Sequence, residues 1–390
     1  MTNRRVFLMA GGGVALAQSP SKQISAALIG SGGEGRALLQ RFRREPGVSI
    51  AGVCDVYEPN LEAGLSVAGP GAKAWRNYKA VLDTKDIDVV IIATPEHWHH
   101  RMLLDALAAG KDVYIEKPLC HTLQEGVEML DAAKASRSVI QVGMQRRSSS
   151  LFLEGREIRR AGKLGAVRMV RTFWLNNDLQ PMSRQLEGPL DWEQWQGPAP
   201  RVPKDPRRFF DWRNYSAYSS GVVMDQGAHI FDSIHMIMDA GAPISVSASS
   251  CRGHKPGVDM PETWVVVAEY AEDFLAVFTI NYSAMRYPMP EDQLNCYDGD
   301  TARMDLGRDF LRVYESVSTN KPLIHKTGMN TGEAVTEHIR DFLKCVRTRE
   351  TPRATVEIGF QAALVLLLAN LSAKQGKRLR WNGQQRRVEI

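Results

Sequence analysis

Through the first third of the chain, apolar runs of strand length alternate with helically spaced apolar positions. The runs fall at 24–29, 48–53, 89–93, 113–115 and 139–142, and the helical spacing at 34–44, 98–109 and 123–135, with Gly110 where a helix should stop. Short strands that are apolar on both faces and separated by helices are the rhythm of a parallel sheet covered on both sides. The pattern predicts one α/β domain over 24–145. Beyond the Arg-Arg-Ser-Ser-Ser stretch at 146–150 the period changes. A helical segment over 151–161 is followed by alternating segments at 167–174, 244–250, 263–270 and 274–282. These predict a large, mostly antiparallel sheet with one face open to solvent or to an interface. Two long helices, at 333–347 and 358–374, complete an α+β domain over 146–390 and are expected to pack back on the first domain.

Residues 190–220 follow neither period and are rich in Pro and aromatics: Trp192, Trp195, Phe209, Phe210, Trp212, Tyr215 and Tyr218. A long irregular segment inside a compact domain is often functional. Its rings are expected to fix the segment itself, to make a subunit contact or to stack on a sugar.

Composition narrows the classes. The 390 residues suit two domains, and 44% apolar with 24% charged residues is the balance of a globular chain. The net charge of +5 is spread over pairs such as Arg43-Arg44, Arg146-Arg147, Arg207-Arg208 and Arg386-Arg387, so no basic block points to nucleic acid. Five cysteines, odd in number and without a C-x-x-C pair, argue against a disulfide framework or a zinc ribbon. At the N-terminus, Arg4-Arg5, a short apolar run and Ala15-Leu16-Ala17 form the pattern of a twin-arginine export signal over residues 1–17. It predicts a periplasmic protein exported already folded, or a cytoplasmic one if the signal is not functional. The apolar stretch 362–371 is short of the ~20 residues that span a bilayer, so no membrane insertion is expected.

The candidate chemistry lies at strand ends. Gly30-Ser31-Gly32-Gly33-Glu34-Gly35 joins the first strand to a helix as G-x-G-x-x-G. The first glycine permits the tight turn, the second lets backbone approach a pyrophosphate, and the third lets helix and strand pack closely. Asp55, twenty residues beyond Gly35 at the end of the second strand, suits ribose hydroxyls and would repel a 2′-phosphate. NAD is therefore expected over NADP. After the fourth strand, Thr94-Pro95-Glu96-His97-Trp98-His99-His100 should lie on the same carboxyl edge. His97 and His99 are expected to line the nicotinamide or substrate cleft, and His100 to cap a helix or lie on the surface. A histidine-only metal site lacks a visible further ligand, and no metal is expected. Glu116-Lys117-Pro118 ends the fifth strand, where Pro118 keeps Lys117 out of the helical region and aims it at the rim. Asp225 and His229, four apart on a helix predicted over 223–238, share one face.

Together these stretches resemble the glucose–fructose oxidoreductase, inositol dehydrogenase and MocA (Gfo/Idh/MocA) family over nearly the whole chain. The likeness rests on the glycine motif, Ala-Thr-Pro with His99, Glu116-Lys117-Pro118 and the Asp225–Asp232 stretch DQGAHIFD. It implies a Rossmann dinucleotide-binding domain and a sugar- or cyclitol-handling domain. It further implies that Lys117, Asp225 and His229 form the catalytic centre, and that the chain assembles as a homodimer or homotetramer. Gly30, Ser31, Gly32, Gly33, Glu34, Gly35, Asp55, Thr94, Pro95, His97, His99, Glu116, Lys117 and Gln145 are the expected cofactor contacts. Lys117, Arg146, Trp212, Asp225 and His229 are the expected substrate contacts. Two departures stand out: Glu96 occupies a position where the family often has Asn, and YSSGVVMD at 218–225 carries fewer glycines than the usual lead-in.

In this reading His229 is the general base and Lys117 stabilises the developing alkoxide, while Asp225 holds a neighbouring hydroxyl or orients the imidazole. The same three residues would serve a glycosidase with tightly bound NAD that works by transient oxidation, elimination and re-reduction. A non-catalytic dinucleotide sensor would have little use for them.

Overall fold

A computed structural model describes residues 23–176, 184–251, 257–285, 292–315, 321–328 and 331–390. The export segment at 1–17 lies outside the described residues. The first half runs β1 (Ile24–Ile29), α1 (Gly33–Arg44), β2 (Val48–Cys54), α2 (Glu58–Ala68), β3 (Lys73–Trp75), α3 (Tyr78–Leu82) and β4 (Val89–Ile92). It continues with α4 (His99–Ala108), β5 (Asp112–Ile115), α5 (Leu123–Ala135) and β6 (Ile140–Val142).

The six strands form one parallel sheet in the order β3-β2-β1-β4-β5-β6. Its central strands β4 and β5 are buried along their whole length, because helices cover both faces. Local signals set the helix starts. Thr122 accepts from the Glu125 amide while Glu125 accepts from the Thr122 amide, a capping box that opens α5. The strand order reverses between β1 and β4, so their carboxyl ends diverge and leave a crevice, the place where ligands of such sheets bind.

The second half runs α6 (Ser150–Arg160), β7 (Val167–Leu175), two short helices α7 (Trp192–Gln196) and α8 (Pro206–Phe210), and α9 (Gly221–Met238). The strands β8 (Ser245–Cys251), β9 (Thr263–Glu269), β10 (Leu275–Asn281), β11 (Gln293–Gly299), β12 (Arg303–Leu306), β13 (Phe310–Tyr314) and β14 (Ile324–Thr327) follow. The chain closes with α10 (Thr331–Thr348), α11 (Val356–Gln375), β15 (Leu379–Asn382) and β16 (Arg387–Glu389).

These strands make a second sheet in the order β14-β13-β12-β11-β7-β10-β9-β8-β15-β16. Neighbours are antiparallel except β7 and β10, which the long crossover through α9 makes parallel. The mostly antiparallel sheet expected from the alternation is present, and its inner face is set by that alternation: Trp264, Val266 and Ala268 of β9 and Ala276, Phe278 and Ile280 of β10 are buried. On the outer face Val265 and Leu275 stay exposed. Helix α9 is buried on nearly all sides, which fits a segment pressed between this sheet, α11 and the first domain. Helix α10 packs Ile339, Phe342 and Leu343 against Leu38, Phe42 and Tyr114 of the first half. Helix α11 is 20 residues long and apolar enough to cross a membrane by length and composition, longer than the 362–371 stretch suggested. Most of it is buried within the protein, as a core helix is.

Candidate active site

The turn from β1 to α1 is shaped by what glycine permits. Gly30 holds φ at +90°, and a Cβ there would meet the Ala93 carbonyl oxygen at 2.7 Å. At Gly35 a Cβ would stand 2.0 Å from the Gly30 carbonyl oxygen, so only glycine lets the helix lie this close to the strand. Nothing stands within 4 Å of a Cβ at Gly32 or Gly33: that space opens into the crevice. Gly32 caps α1 without a side-chain bond, leaving the first-turn amides of the helix for an anion. Ser31, expected as a cofactor contact, does not line the groove. It is buried beneath the turn, its hydroxyl donating to Asn60 O (2.8 Å) and Asp55 Oδ2 (3.1 Å). Gly35 likewise serves packing. Asp55 accepts from the Ser31 amide (2.7 Å) and the Tyr57 amide (2.9 Å), which aims its carboxylate along the groove; burial pushes its pKa up while these amides pull it down.

The groove is about 670 Å³, within the range of ligand sites. It runs from Gly30, Gly32, Gly33, Glu34 and Asp55, past Thr94, Pro95 and His99, to Glu116, Lys117, Gln145 and His229, with Trp212 on its outer wall. Of the two cleft histidines expected, only His99 reaches it, and it does so as a brace. Its Nδ1 lies 2.7 Å from Pro118 O and its Nε2 2.9 Å from Thr94 O, tying the ends of β4 and β5 together. His97 is turned away: its Nε2 lies 3.0 Å from Trp195 O, and its ring packs on Trp195 and Tyr218. The partner that captures it comes from a distant part of the chain. His100 pairs with Glu128 at 2.7 Å. Among the described residues no three His, Cys, Asp or Glu side chains gather as a metal site would need.

Residues 184–220 pass over this edge of the first domain. Tyr57 bridges Leu190, the Asp191 amide donates to Val56 O (3.0 Å), and Trp98 donates its indole N–H to Trp195 O (2.9 Å). Trp195, Phe209, Tyr215 and Tyr218 form a small core of their own with Tyr57, so most of these rings fix the segment. Phe210 and Trp212 face the groove. Glu96 joins the same construction from below. Its carboxylate accepts from the Ser219 hydroxyl (2.8 Å) and the Ser220 amide (2.9 Å) at the entry to α9. Burial pushes its pKa up to about 7.

Lys117 and α9 meet at the far end. The Lys117–Pro118 bond is cis, and Nζ donates to Asp225 Oδ1 (2.7 Å) and Asp225 O (3.0 Å). Arg213 Nε and the Gln226 side-chain Nε2 donate to Asp225 Oδ2, both at 3.1 Å. Burial would raise the Asp225 pKa, but the Lys117 and Arg213 charges outweigh it and hold the carboxyl below its ordinary range. Asp225 thus sits behind Lys117 and does not line the groove. One turn on, His229 lines it, with Nδ1 solvent-excluded and unpartnered among the described residues. Burial, then the charges of Lys117 and Arg146, drive its pKa well below the usual imidazole range. A neutral imidazole beside a lysine ammonium is a proton acceptor next to an anion stabiliser, the pair that deprotonating an alcohol calls for.

Arg146 is placed differently from the expectation. It lines a smaller cavity of about 70 Å³ that shares Gln145 and His229 with the groove. Trp174, Gln293 and Arg308 complete that wall, and the sequence reading had singled out none of them. Trp174 ends β7 and stacks on His229 with centroids 6.4 Å apart. A signal was present: polar Gln293, Asn295 and Tyr297 alternate along β11 and all face inward.

Residues 24–144 match the profile of the oxidoreductase family with an NAD-binding Rossmann fold, and residues 152–297 match the GFO/IDH/MocA C-terminal domain. An inositol 2-dehydrogenase of Klebsiella pneumoniae subsp. pneumoniae is 29% identical over 154 residues, 39% of this chain and 46% of that protein. Glycosyl hydrolase family 109 protein 2 of Shewanella sp. (strain ANA-3) is 30% identical over 123 residues, 30% of this chain and 27% of that one. The chain thus spans less than half the length of these curated relatives. Among solved structures, levoglucosan dehydrogenase in complex with NADH and levoglucosan superposes with a TM-score of 0.75 at 19% identity, over 92% of this chain and 99% of that one. GenD2 from gentamicin A biosynthesis in complex with NAD gives 0.70 at 17% identity, over 93% and 97%. At such identities the likeness is one of fold.

Proposed function

The chain belongs to the Gfo/Idh/MocA family of NAD-binding oxidoreductases, and from that premise we propose that it is an NAD-dependent dehydrogenase acting on a hydroxyl of a sugar, sugar derivative or cyclitol. The observation that carries the proposal is the meeting of Lys117, from the nucleotide-binding half, with Asp225 and His229 of α9 at the end of one continuous groove. The open space at Gly32 and Gly33 and the free amides of α1 suit a pyrophosphate, and Asp55 suits ribose hydroxyls. Bound NAD would supply the hydride acceptor, taking the carbinol hydrogen with its electron pair as the alcohol becomes a carbonyl. His229 takes the hydroxyl proton. Lys117 steadies the alkoxide oxygen as that proton leaves, and Asp225 holds Nζ in place. Burial pushes the pKa of Glu116 up, and its carboxyl accepts from the Lys117 backbone amide.

The partial match to a glycosyl hydrolase family 109 protein keeps a second reading in view, cleavage by transient oxidation on a retained NAD. Following cofactor absorbance and aglycone release together separates the two. Net NADH from free sugars or cyclitols without aglycone release is expected; aryl-glycoside cleavage without net NADH would overturn the dehydrogenase reading. Exposed Val265 and Leu275 on the outer face of the larger sheet support assembly as a homodimer or homotetramer, which a sedimentation pattern of monomer alone would contradict. Arg4-Arg5 and Ala15-Leu16-Ala17 support export to the periplasm, and a protein recovered from the periplasm should begin at Gln18. Recovery of the uncut chain from the cytoplasm alone would refute it.

A further inference from the structure

We propose that the small cavity beside His229 is a carboxylate subsite, so that the preferred substrate is a sugar acid whose carboxylate, borne on the ring carbon adjoining the carbinol being oxidised, is held by Arg146. This rests on the dehydrogenase reading above and adds its substrate class.

The charges around His229 are matched with one exception. Lys117 is answered by Asp225 (2.7 Å), Arg147 by Asp232 (2.6 Å), and Arg308 by a two-bonded contact with Asp292 (2.8 and 2.6 Å). Among the described residues no carboxylate pairs with Arg146: its Nη2 donates to the neutral Gln293 Oε1, and its guanidinium lies over the Phe152 and Trp174 rings. Its Nη1 is solvent-excluded and has no partner among the described residues. A guanidinium cannot shed its proton to relieve this, so the missing element is an anion. Trp174 Nε1, on another residue lining the cavity, is also excluded from water and unpartnered. Two unmet N–H donors at one cavity call for a group that only accepts, which describes an ionised carboxylate. Burial, and then the nearby Arg308 charge, press the Arg146 pKa down to about 10, the cost of holding this cation without a counter-ion.

Position agrees with chemistry. The Arg146 and Arg308 guanidinium carbons lie 5.6 and 5.1 Å from the centre of the Trp174 ring, and the His229 ring lies 6.4 Å from the same ring. A substrate with its hydroxyl at His229 therefore projects a near substituent between the two arginines. The cavity volume of about 70 Å³ leaves room for a carboxylate. The orphan Gln145 Oε1 leaves an acceptor for a hydroxyl of the same sugar.

The test uses the full chain loaded with NADH. Calorimetry measures binding of D-glucuronate and D-galacturonate, of the parent hexoses, and of the hexose 6-phosphates, to the NADH-loaded native protein and to Arg146→Gln and Arg146→Lys; in a separate assay with NAD in place of NADH, NADH formation is followed on the same panel. At least one acid should bind tenfold or more tightly than its parent hexose. Arg146→Gln should cut that preference tenfold or more, and Arg146→Lys should restore part of it. Unchanged melting and NADH binding of the variants certify their fold. Equal binding of acids and hexoses by the native protein, a preference that survives Arg146→Gln, or tighter binding of the phosphates would overturn the subsite. NADH formed from hexoses alone would sink the subsite and leave the dehydrogenase intact. Arg146-dependent binding of an acid without NADH from any compound would keep the subsite and count against the dehydrogenase.

Discussion

His229 shows how much of a residue's role is set by its surroundings. Four residues beyond Asp225 on one helix face, it was legible as the partner of Lys117 once that spacing was seen. Its neutrality was not, because the burial that chiefly enforces it, and after that the charges of Lys117 and Arg146, arise only on folding. His97 failed as a cleft residue for a related reason: the carbonyl that holds it belongs to Trp195. Glu96 carries a pH signature that a solution measurement can read. Its folded pKa of about 7 lies above the value of 4.5 usual for a glutamate. Between those values the unfolded chain releases a proton that the folded one keeps, so this residue's contribution to stability falls as pH rises through the window and levels off above it. Glu96→Gln removes that slope. The stability difference, variant minus native, should rise between pH 4.5 and 7 by up to ~3 kcal/mol, a shift of roughly 2.5 units at 1.36 kcal/mol each. A difference flat with pH in thermal or denaturant unfolding would show that Glu96 does not hold its proton.

At the scale of elements, the β1–α1 turn offers a contrast between two glycines of one motif. Gly35→Ala forces a Cβ to 2.0 Å from backbone and should lower the melting temperature by several degrees along with NAD affinity. Gly32→Ala meets nothing in the protein and should melt like the native chain, yet bind NAD at least tenfold more weakly because the methyl occupies the pyrophosphate's approach. Unchanged NAD affinity in Gly32→Ala would mean the dinucleotide lies elsewhere. Five strands of the wound sheet and strands β7–β10 were legible because apolar side chains there follow the period of the element, whereas β3, three residues with Lys73 and Ala74 exposed, was not. The strand β11 was not, since Gln293, Asn295 and Tyr297 turn inward toward the substrate end while Leu294 and Cys296 face out, inverting the usual pattern. Its polar inner face is itself a mark of function: buried polar side chains persist where a ligand completes their bonding.

At the scale of the molecule, the set of residues proposed for catalysis is divided between two halves. The parallel sheet offers Lys117, the groove proposed for the dinucleotide and, just beyond β6, Arg146; the second half carries α9 and Arg308. Residues 184–220 and the Glu96 contacts lock the halves at the mouth, so the geometry at Lys117 depends on contacts far from it in sequence. That closure was hidden in the sequence as an aromatic stretch without period. The most direct test of the account is a rapid-mixing measurement of a single turnover. Native, Lys117→Met and His229→Asn proteins, each shown to bind NAD with native affinity, are mixed with the substrate selected by the sugar panel and NADH appearance is timed. The account expects both variants to form NADH at least ~100-fold more slowly than the native protein, as loss of a preorganised alkoxide stabiliser or of the base would cause. NADH formed at the native rate by either variant would contradict it.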